Sequence, residues 1–404
     1  MHTPLSEAHL VDPLETDEWL RTNEPVAHVP ERDCWLDTSH ELVAEAIMDT
    51  ERFSNRFGRI MRGRQRRTPE ARAVLEQGWP PRDTLFTVDP PLHRSHRLIV
   101  QKTFSAKRVN GLEPTIRSLT TSLVDAIPRT ETVDIFPVLA VPLPMTVIAD
   151  QLGVPRTDLP LFKRWSDAFA TELSGLIEDT SDQLRLTRLE VEFQQYFHER
   201  IVERRAEARD DVLSDLVYAE DEDGNTFDDA EILSFLTQLL VAGNETTTSA
   251  IAAGVRMLAG DPDLQARVRA DRSTIPALVE EVLRLESPIQ AMWRVTTTDA
   301  ELGGVTIPEG SYVLLRYLAA NHDPAHYDLP EHCRVDRDKP RDHLAFGAGI
   351  HFCVGAALAR SEVRVATEEL LDRTEWIDAA WEAEPGHPPS LLVRQLDRVP
   401  VVLR

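Results

Sequence analysis

Cysteine is nearly absent: Cys34, Cys333 and Cys353 are the only three among 404 residues. An odd, widely spaced set does not make a disulfide framework and points to a reducing compartment, so each thiol needs its own account. Long apolar runs are missing as well. No window approaches the ~18 uninterrupted apolar residues that span a bilayer, and the opening MHTPLSEAHLVDPLETDEWL lacks the basic-then-apolar order of a secretory leader. A cytoplasmic protein without membrane contact is the expectation. Positive charge is outweighed: 44 Lys and Arg against 68 Asp and Glu leave a net charge of −24, which would repel nucleic-acid phosphates and anionic lipid. Nucleic acid is therefore disfavoured as a general partner.

Repeats, low-complexity linkers and composition breaks are also lacking, so residues 1–404 read as a single domain. A hydrophobic content of 42% suffices for a substantial core. From about Leu112 to Leu285 the apolar spacing is mostly helical, as in the runs Leu161 to Leu173 and Leu184 to Ala208. Strand signals are few and sit near the two ends: Val26 to Val29, Ala300 to Tyr317 and the final VPVVLR. Ala300 to Tyr317 reads as a hairpin turning at Pro308, Glu309 and Gly310. The fold class is mainly α with small β-sheets, the sheet region drawing on both the N-terminal and C-terminal parts. Charge is uneven, with Arg52 to Arg72 strongly basic and Glu220 to Glu231 strongly acidic. Both read as solvated surface, a docking site being the second reading.

The informative stretch is HLAFGAGIHFCVGAALAR, His343 to Arg360. A buried cysteine is ordinarily a small hydrophobe, which suits Cys34 and Cys333. Around Cys353, however, Gly347, Gly349 and Gly355 allow close backbone approach or positive φ at an entropic cost that plain packing does not require. Helical spacing over Val354 to Leu371 puts Cys353 at or just before a helix N-terminus, where free amides and the dipole favour a thiolate. Such a thiolate is a nucleophile or a metal ligand. Structural zinc would bring more Cys or His ligands than the nearby His343 and His351, and acyl transfer has only His351 to offer as a base.

FGAGIHFCVG, Phe346 to Gly355, resembles the haem-binding signature of the cytochromes P-450: Phe346, Gly347, Gly349, the basic His351, the ligand Cys353 and Gly355 stand at the family's spacing. The resemblance implies the cytochrome P-450 fold, a haem b cofactor and Cys353 as axial thiolate on its iron, with the glycines letting amides reach the sulfur. Ala242, Gly243, Asn244, Glu245 and Thr246 match the pattern Ala-Gly-x-Glu-Thr of the family's long central helix. Ala242, Gly243 and Thr246 fall on one side of a helix. By the resemblance, Thr246 hydrogen-bonds the oxygen being activated and Glu245 helps relay protons. Glu281 and Arg284 match the family's internal Glu-x-x-Arg pair and are structural. The third partner of that pair usually comes from the loop before the cysteine segment, where the aligned position holds His332 in place of the common Arg, so that contact stays open. VDPPLHRSHRLIVQKTF resembles the family's Asp-Pro-Pro-x-His-x-x-x-Arg segment, making His93 and Arg97 partners for haem propionates together with Arg294 and His351. His96 is expected on solvent or in the core.

What the resemblance implies is a monooxygenase of the soluble bacterial type, inserting one atom of O2 into an apolar small molecule. Electrons would come from a ferredoxin or flavodoxin with its reductase, because no flavin or nicotinamide fingerprint occurs here. Arg360, Arg364, Lys102 and Arg108 are docking candidates, and a monomer is expected. Ile60, Met61, Trp79, Phe86, Phe169 and Leu173 are expected near substrate. A peroxide-driven peroxygenase and a non-catalytic haem sensor or carrier are the alternatives, separated by turnover with peroxide alone or by gas binding without oxidation.

Overall fold

The structure is a computed structural model that describes residues 3–58, 67–174, 180–220 and 224–404. The chain packs as two compact units, one of Met1–Ser54, Val109–Pro144 and Thr246–Arg404, the other of Asn55–Arg108 and Met145–Glu245.

All strands among the described residues belong to the first unit. Its five-stranded sheet has the order β1 (Val26–Val29), β2 (Cys34–Asp37), β8 (Tyr312–Leu315), β5 (Met292–Thr296) and β3 (Phe53–Ser54). Only β2 and β8 run parallel, with Trp35 opposite Val313; the other neighbours are antiparallel, with Arg294 opposite Val313. N-terminal and C-terminal strands therefore share one sheet, as the positions of the strand signals imply. β4 (Thr132–Asp134), β10 (Pro400–Leu403) and β9 (Ile377–Ala379) form a second sheet.

The hairpin reading of Ala300 to Tyr317 needs correction. β6 (Ala300–Leu302) and β7 (Val305–Ile307) pair with each other across Gly303 and Gly304, both at positive φ. A two-residue loop with positive φ matches the right-handed strand twist, which makes Gly-Gly the stronger turn signal. The turn at Gly310, also at positive φ, instead sends β8 into the large sheet.

The helices of this unit include α1 (Glu7–Val11), α2 (Leu14–Asn23) and α3 (His40–Met48), then, after a gap in sequence, α12 (Pro262–Ala270), α13 (Ile275–Glu286), α14 (Tyr317–Asn321) and α15 (Ala356–Arg373). Ser39 caps α3 by accepting from the Leu42 amide, and Asp261 caps α12 ahead of Pro262. Val43, Ala46 and Ile47 of α3 pack with Phe53, Val313, Leu315, Tyr317 and Leu344 in a buried cluster, which fixes the start of the cysteine segment against the sheet.

The regular elements of the second unit among its described residues are helices: α4 (Pro69–Leu75), α5 (Leu92–Thr103), α8 (Leu159–Ser174), α9 (Thr180–Ala206), α10 (Val212–Val217) and most of α11 (Asp229–Gly260). α6 (Ala106–Asp125) and α7 (Pro142–Gln151) run through the unit boundaries. The apolar runs at Leu161 and Leu184 thus become α8 and α9. α11 begins with a capping box, Asp228 accepting from the Glu231 amide and Glu231 from the Asp228 amide, at 2.7 and 2.8 Å. None of the described helices is long and apolar enough to cross a membrane.

Candidate functional site

Cys353 lies in a backbone scaffold that only glycine allows. Gly347 and Gly349 have φ of +65° and +63°, a region strained for any residue with a Cβ. The Gly347 amide donates to the Leu344 carbonyl at 2.8 Å and the Cys353 amide to the Phe346 carbonyl at 3.0 Å. At Gly349 a side chain would also meet Met48 Sδ at 3.0 Å. A short 3-10 turn, Gly349–His351, carries His351, and α15 starts three residues after Cys353 with Gly355 as its N-cap. The half-buried Cys353 thus stands before a helix N-terminus, as the sequence predicts. Cys34 is buried in β2, while burial pushes the Cys333 thiol up to about 12; both suit plain packing.

An ionic hub braces this segment from behind. Glu280 on α13 is buried and accepts from Arg360 Nε at 2.9 Å, from Arg341 Nε at 3.0 Å and lies 3.1 Å from His343 Nε2. Burial alone would raise its pKa, but the hydrogen bonds from His343 and Arg360 outweigh burial and hold it down at about 2. Arg360 places its guanidinium carbon 4.6 Å from the centre of the Phe346 ring. One carboxylate therefore ties both ends of the cysteine segment to α13. Asn321 completes the bracing, its Oδ1 accepting from the Leu344 amide at 2.7 Å.

Next to this hub, Glu281 and Arg284 form the predicted buried pair, at 2.8 and 2.9 Å. The third partner is Arg337, not His332. Arg337 Nε reaches Glu281 Oε1 at 2.9 Å, and His332 contributes only its carbonyl, which accepts from Arg284 and Arg337 at 3.2 Å. The loop 328–338 curls, so the cation that faces Glu281 stands five residues beyond the position that linear alignment suggests.

Arg294 is 1% exposed on β5. It donates from Nη1 to the Trp293 carbonyl at 2.8 Å, while its buried Nε has no hydrogen-bond partner among the described residues. A buried guanidinium left partly unsatisfied is costly and fits an anionic group that belongs there.

On α11, Asn244, Glu245 and the residues from Thr247 to Val255 are buried, whereas Ala242 is exposed and Gly243 and Thr246 are half-buried. The small residues thus lie on accessible positions of this helix beside the buried ones, at the spacing read from the sequence. Thr248 donates to the Ala140 carbonyl at 3.1 Å. Glu362 on α15 is fully enclosed and hydrogen-bonded to Thr247; burial pushes its carboxyl up to about 8. Glu245 accepts from Ser166 at 3.0 Å and from Asn244 at 3.1 Å.

His93 and Arg97 share α5 in the second unit. His93 is buried, and burial together with the Arg97 charge holds its pKa below the ordinary range. His96 packs edge-on against Phe227 and Phe235, with ring centres 5.3 and 5.1 Å away, so it is a core residue. Of the residues expected near substrate, Phe169 packs on Phe193 and Trp79 on His198, while Phe86 meets Phe57. Ile60, Met61 and the Leu173 side chain lie outside the described residues, as does the Lys102 side chain. The docking candidates Arg360, Arg364 and Arg108 are each engaged by carboxylates, those of Glu280, Glu113 and Asp215 respectively.

Comparison with known proteins decides the family. The sequence matches the cytochrome P450 family over residues 61–395. This chain belongs to the cytochrome P450 family. Cytochrome P450 109 of Bacillus spizizenii is 35% identical over 98% of this chain and 93% of its own length. Cytochrome P450 monooxygenase PikC of Streptomyces venezuelae is 35% identical over 98% and 92%. The crystal structure of CYP109E1 from Bacillus megaterium with testosterone matches with a TM-score of 0.83, at 32% identity, covering 97% of this chain and 99% of that one. The fold is that of the P450s, and the chain is an oxidoreductase of the haem-thiolate class. The residues present fit a haem: a free cysteine just before a helix N-terminus and a buried cation suited to a propionate.

Sequence reasoning missed Glu280, Arg337 and Ser166. Glu280 carries a signal, since two adjacent glutamates on a buried helix each require cations. Ser166 carries none.

Proposed function

We propose that this P450 is a monooxygenase that takes haem b, with Cys353 as iron ligand, and oxidises an apolar molecule of steroid size. The observation that carries the reading is the Cys353 amide fixed on the Phe346 carbonyl at 3.0 Å, with Gly347 and Gly349 in left-handed backbone between them. Arg294 would hold a propionate through its buried Nε, and His93, Arg97 and His351 are the further propionate partners. Phe346, Gly347 and Gly355 would shape the contact with the thiolate side, and Ala242 and Gly243 leave room on α11. Haem, when bound, would supply the oxygen chemistry by which one atom of O2 goes to substrate and the other to water.

The chain's own residues position and protonate. Glu245 is the proton donor of the site, its pKa raised above the ordinary carboxyl range by burial against the opposing hydrogen bonds from Ser166 and Asn244. Thr246, half-buried on α11, offers a hydroxyl one residue on. Electrons come from a ferredoxin or flavodoxin with its reductase. The testosterone complex of the Bacillus megaterium relative supports an apolar substrate of that size.

A spin-state screen of the haem-loaded protein with steroids, macrolides, terpenoids and fatty acids tests the substrate class. With a binding compound, a ferredoxin and its reductase, Thr246→Ala should consume oxygen without matching product. Unchanged coupling would remove the role assigned to Thr246, and turnover with peroxide alone would favour a peroxygenase.

A further inference from the structure

Arg360 turns inward from α15. Its Nε and Nη2 donate side by side to Glu280 on α13, at 2.9 Å to Oε1 and 3.0 Å to Oε2, a fork that fixes the orientation of the planar guanidinium. The guanidinium carbon stands 4.6 Å from the centre of the Phe346 ring, and the side chain is 19% exposed. Phe346 is also the residue whose carbonyl accepts the Cys353 amide at 3.0 Å. The contacts therefore run from carboxylate to guanidinium to aromatic ring to the cysteine, and the positive member of the ion pair is the one that lies on the ring.

The other members of the hub do little to change that charge. The Ala345 amide donates to His343 Nδ1 at 3.3 Å, which assigns the ring proton to Nε2, on the Glu280 side, in an uncharged tautomer. Arg341 also donates to Glu280, but its side chain is 73% exposed, where water and salt screen it. Glu280 itself, with its carboxyl held down at about 2, stays ionised at neutral pH.

We propose that Arg360 raises the reduction potential of the iron ligated by Cys353, with Glu280 as the positioning residue that holds the guanidinium against Phe346. The inference rests on the haem-thiolate reading above. One electron from the ferredoxin or flavodoxin turns ferric iron ferrous, so the site gains one negative charge as the donor is oxidised by one electron; no bond or proton in the chain changes. A cation fixed in a partly enclosed place favours the form with the added negative charge.

The test is a redox titration of the haem-loaded protein, followed at the Soret band with dye mediators. Arg360→Leu should make the one-electron reduction about tenfold less favourable, a potential about 59 mV lower, because the carboxylate left behind acts in the same direction as the lost cation. Arg360→Lys keeps the charge and should restore most of the difference. The double variant Glu280→Gln with Arg360→Leu also removes the stranded carboxylate, so its potential should fall between those of wild type and Arg360→Leu; it serves with wild type and Arg360→Lys if Arg360→Leu does not take up haem. A role confined to packing would leave the potential of the haem-thiolate fraction where it is and would make Lys no better than Leu. An unmoved potential in Arg360→Leu, or equal drops with Leu and Lys, would overturn the inference alone. A wild-type protein without a thiolate-type Soret band in its reduced, carbon monoxide-bound state would remove the haem-thiolate reading and the inference with it.

Discussion

Replacing Glu280 by Gln should loosen the cysteine segment and cost the fold about 3 kcal/mol at pH 7. The carboxylate is nearly enclosed and joins Arg360, Arg341 and His343. Its pKa falls from 4.5 to about 2, and at about 1.4 kcal/mol per pH unit this difference is worth about 3 kcal/mol. Breaking a buried ion pair from one side costs a similar amount, about 3–5 kcal/mol, because the partner cation stays behind. The charge stabilises the folded state fully above the unfolded pKa of about 4.5 and progressively less as pH falls toward 2. Urea unfolding of wild type and Glu280→Gln at pH 7, 5, 4 and 3 should therefore give a gap that is widest at pH 7 and closes in acid. The share of protein with a thiolate-type Soret band should fall in the variant, because Arg360 loses the anchor that holds it over Phe346. A loss below about 1 kcal/mol at pH 7, or a gap that does not change with pH, would refute the reasoning.

Two other substitutions probe the same architecture. Arg294→Leu removes the buried guanidinium whose Nε is unsatisfied; haem dissociation, followed by transfer to apomyoglobin, should become roughly 10–100-fold faster, since a charge-assisted hydrogen bond is worth about 1.5–3 kcal/mol, and an unchanged rate would exclude a propionate contact. Glu362→Gln should be more stable than wild type at pH 8 than at pH 5 by comparison. The enclosed acid ionises near 8 when folded but near 4.5 when unfolded, so the wild type loses stability as pH rises between those values and Gln does not. Thermal unfolding across that range checks the slope.

The cysteine segment was legible because its chemistry is local: two left-handed glycines, the thiol and the helix start lie within one short run, and no distant residue is needed to read them. The small-residue positions on α11 were legible for the same reason, helical spacing alone putting Ala242, Gly243 and Thr246 on one side. What failed depended on loops and long-range contacts. The strand Tyr312–Leu315 looks in sequence like the return arm of a hairpin, yet it pairs with β2, more than 270 residues earlier in the chain. Arg337 could not be told from His332 because the curl of the loop between them decides which one faces Glu281. Ser166 gave no sign at all, a serine in an amphipathic helix being ordinary until α11 is packed beside it. Arg360, Arg364 and Arg108 are paired with Glu280, Glu113 and Asp215, partners on other helices that their own sequence surroundings do not reveal.

Sulfur ligation by Cys353 is tested most directly by the absorption spectrum of the reduced, carbon monoxide-bound protein. The wild type should give the red-shifted Soret band of a thiolate ligand, and Cys353→Ala should lose it. A wild-type band typical of nitrogen ligation, or a red-shifted band that survives Cys353→Ala, would contradict the assignment.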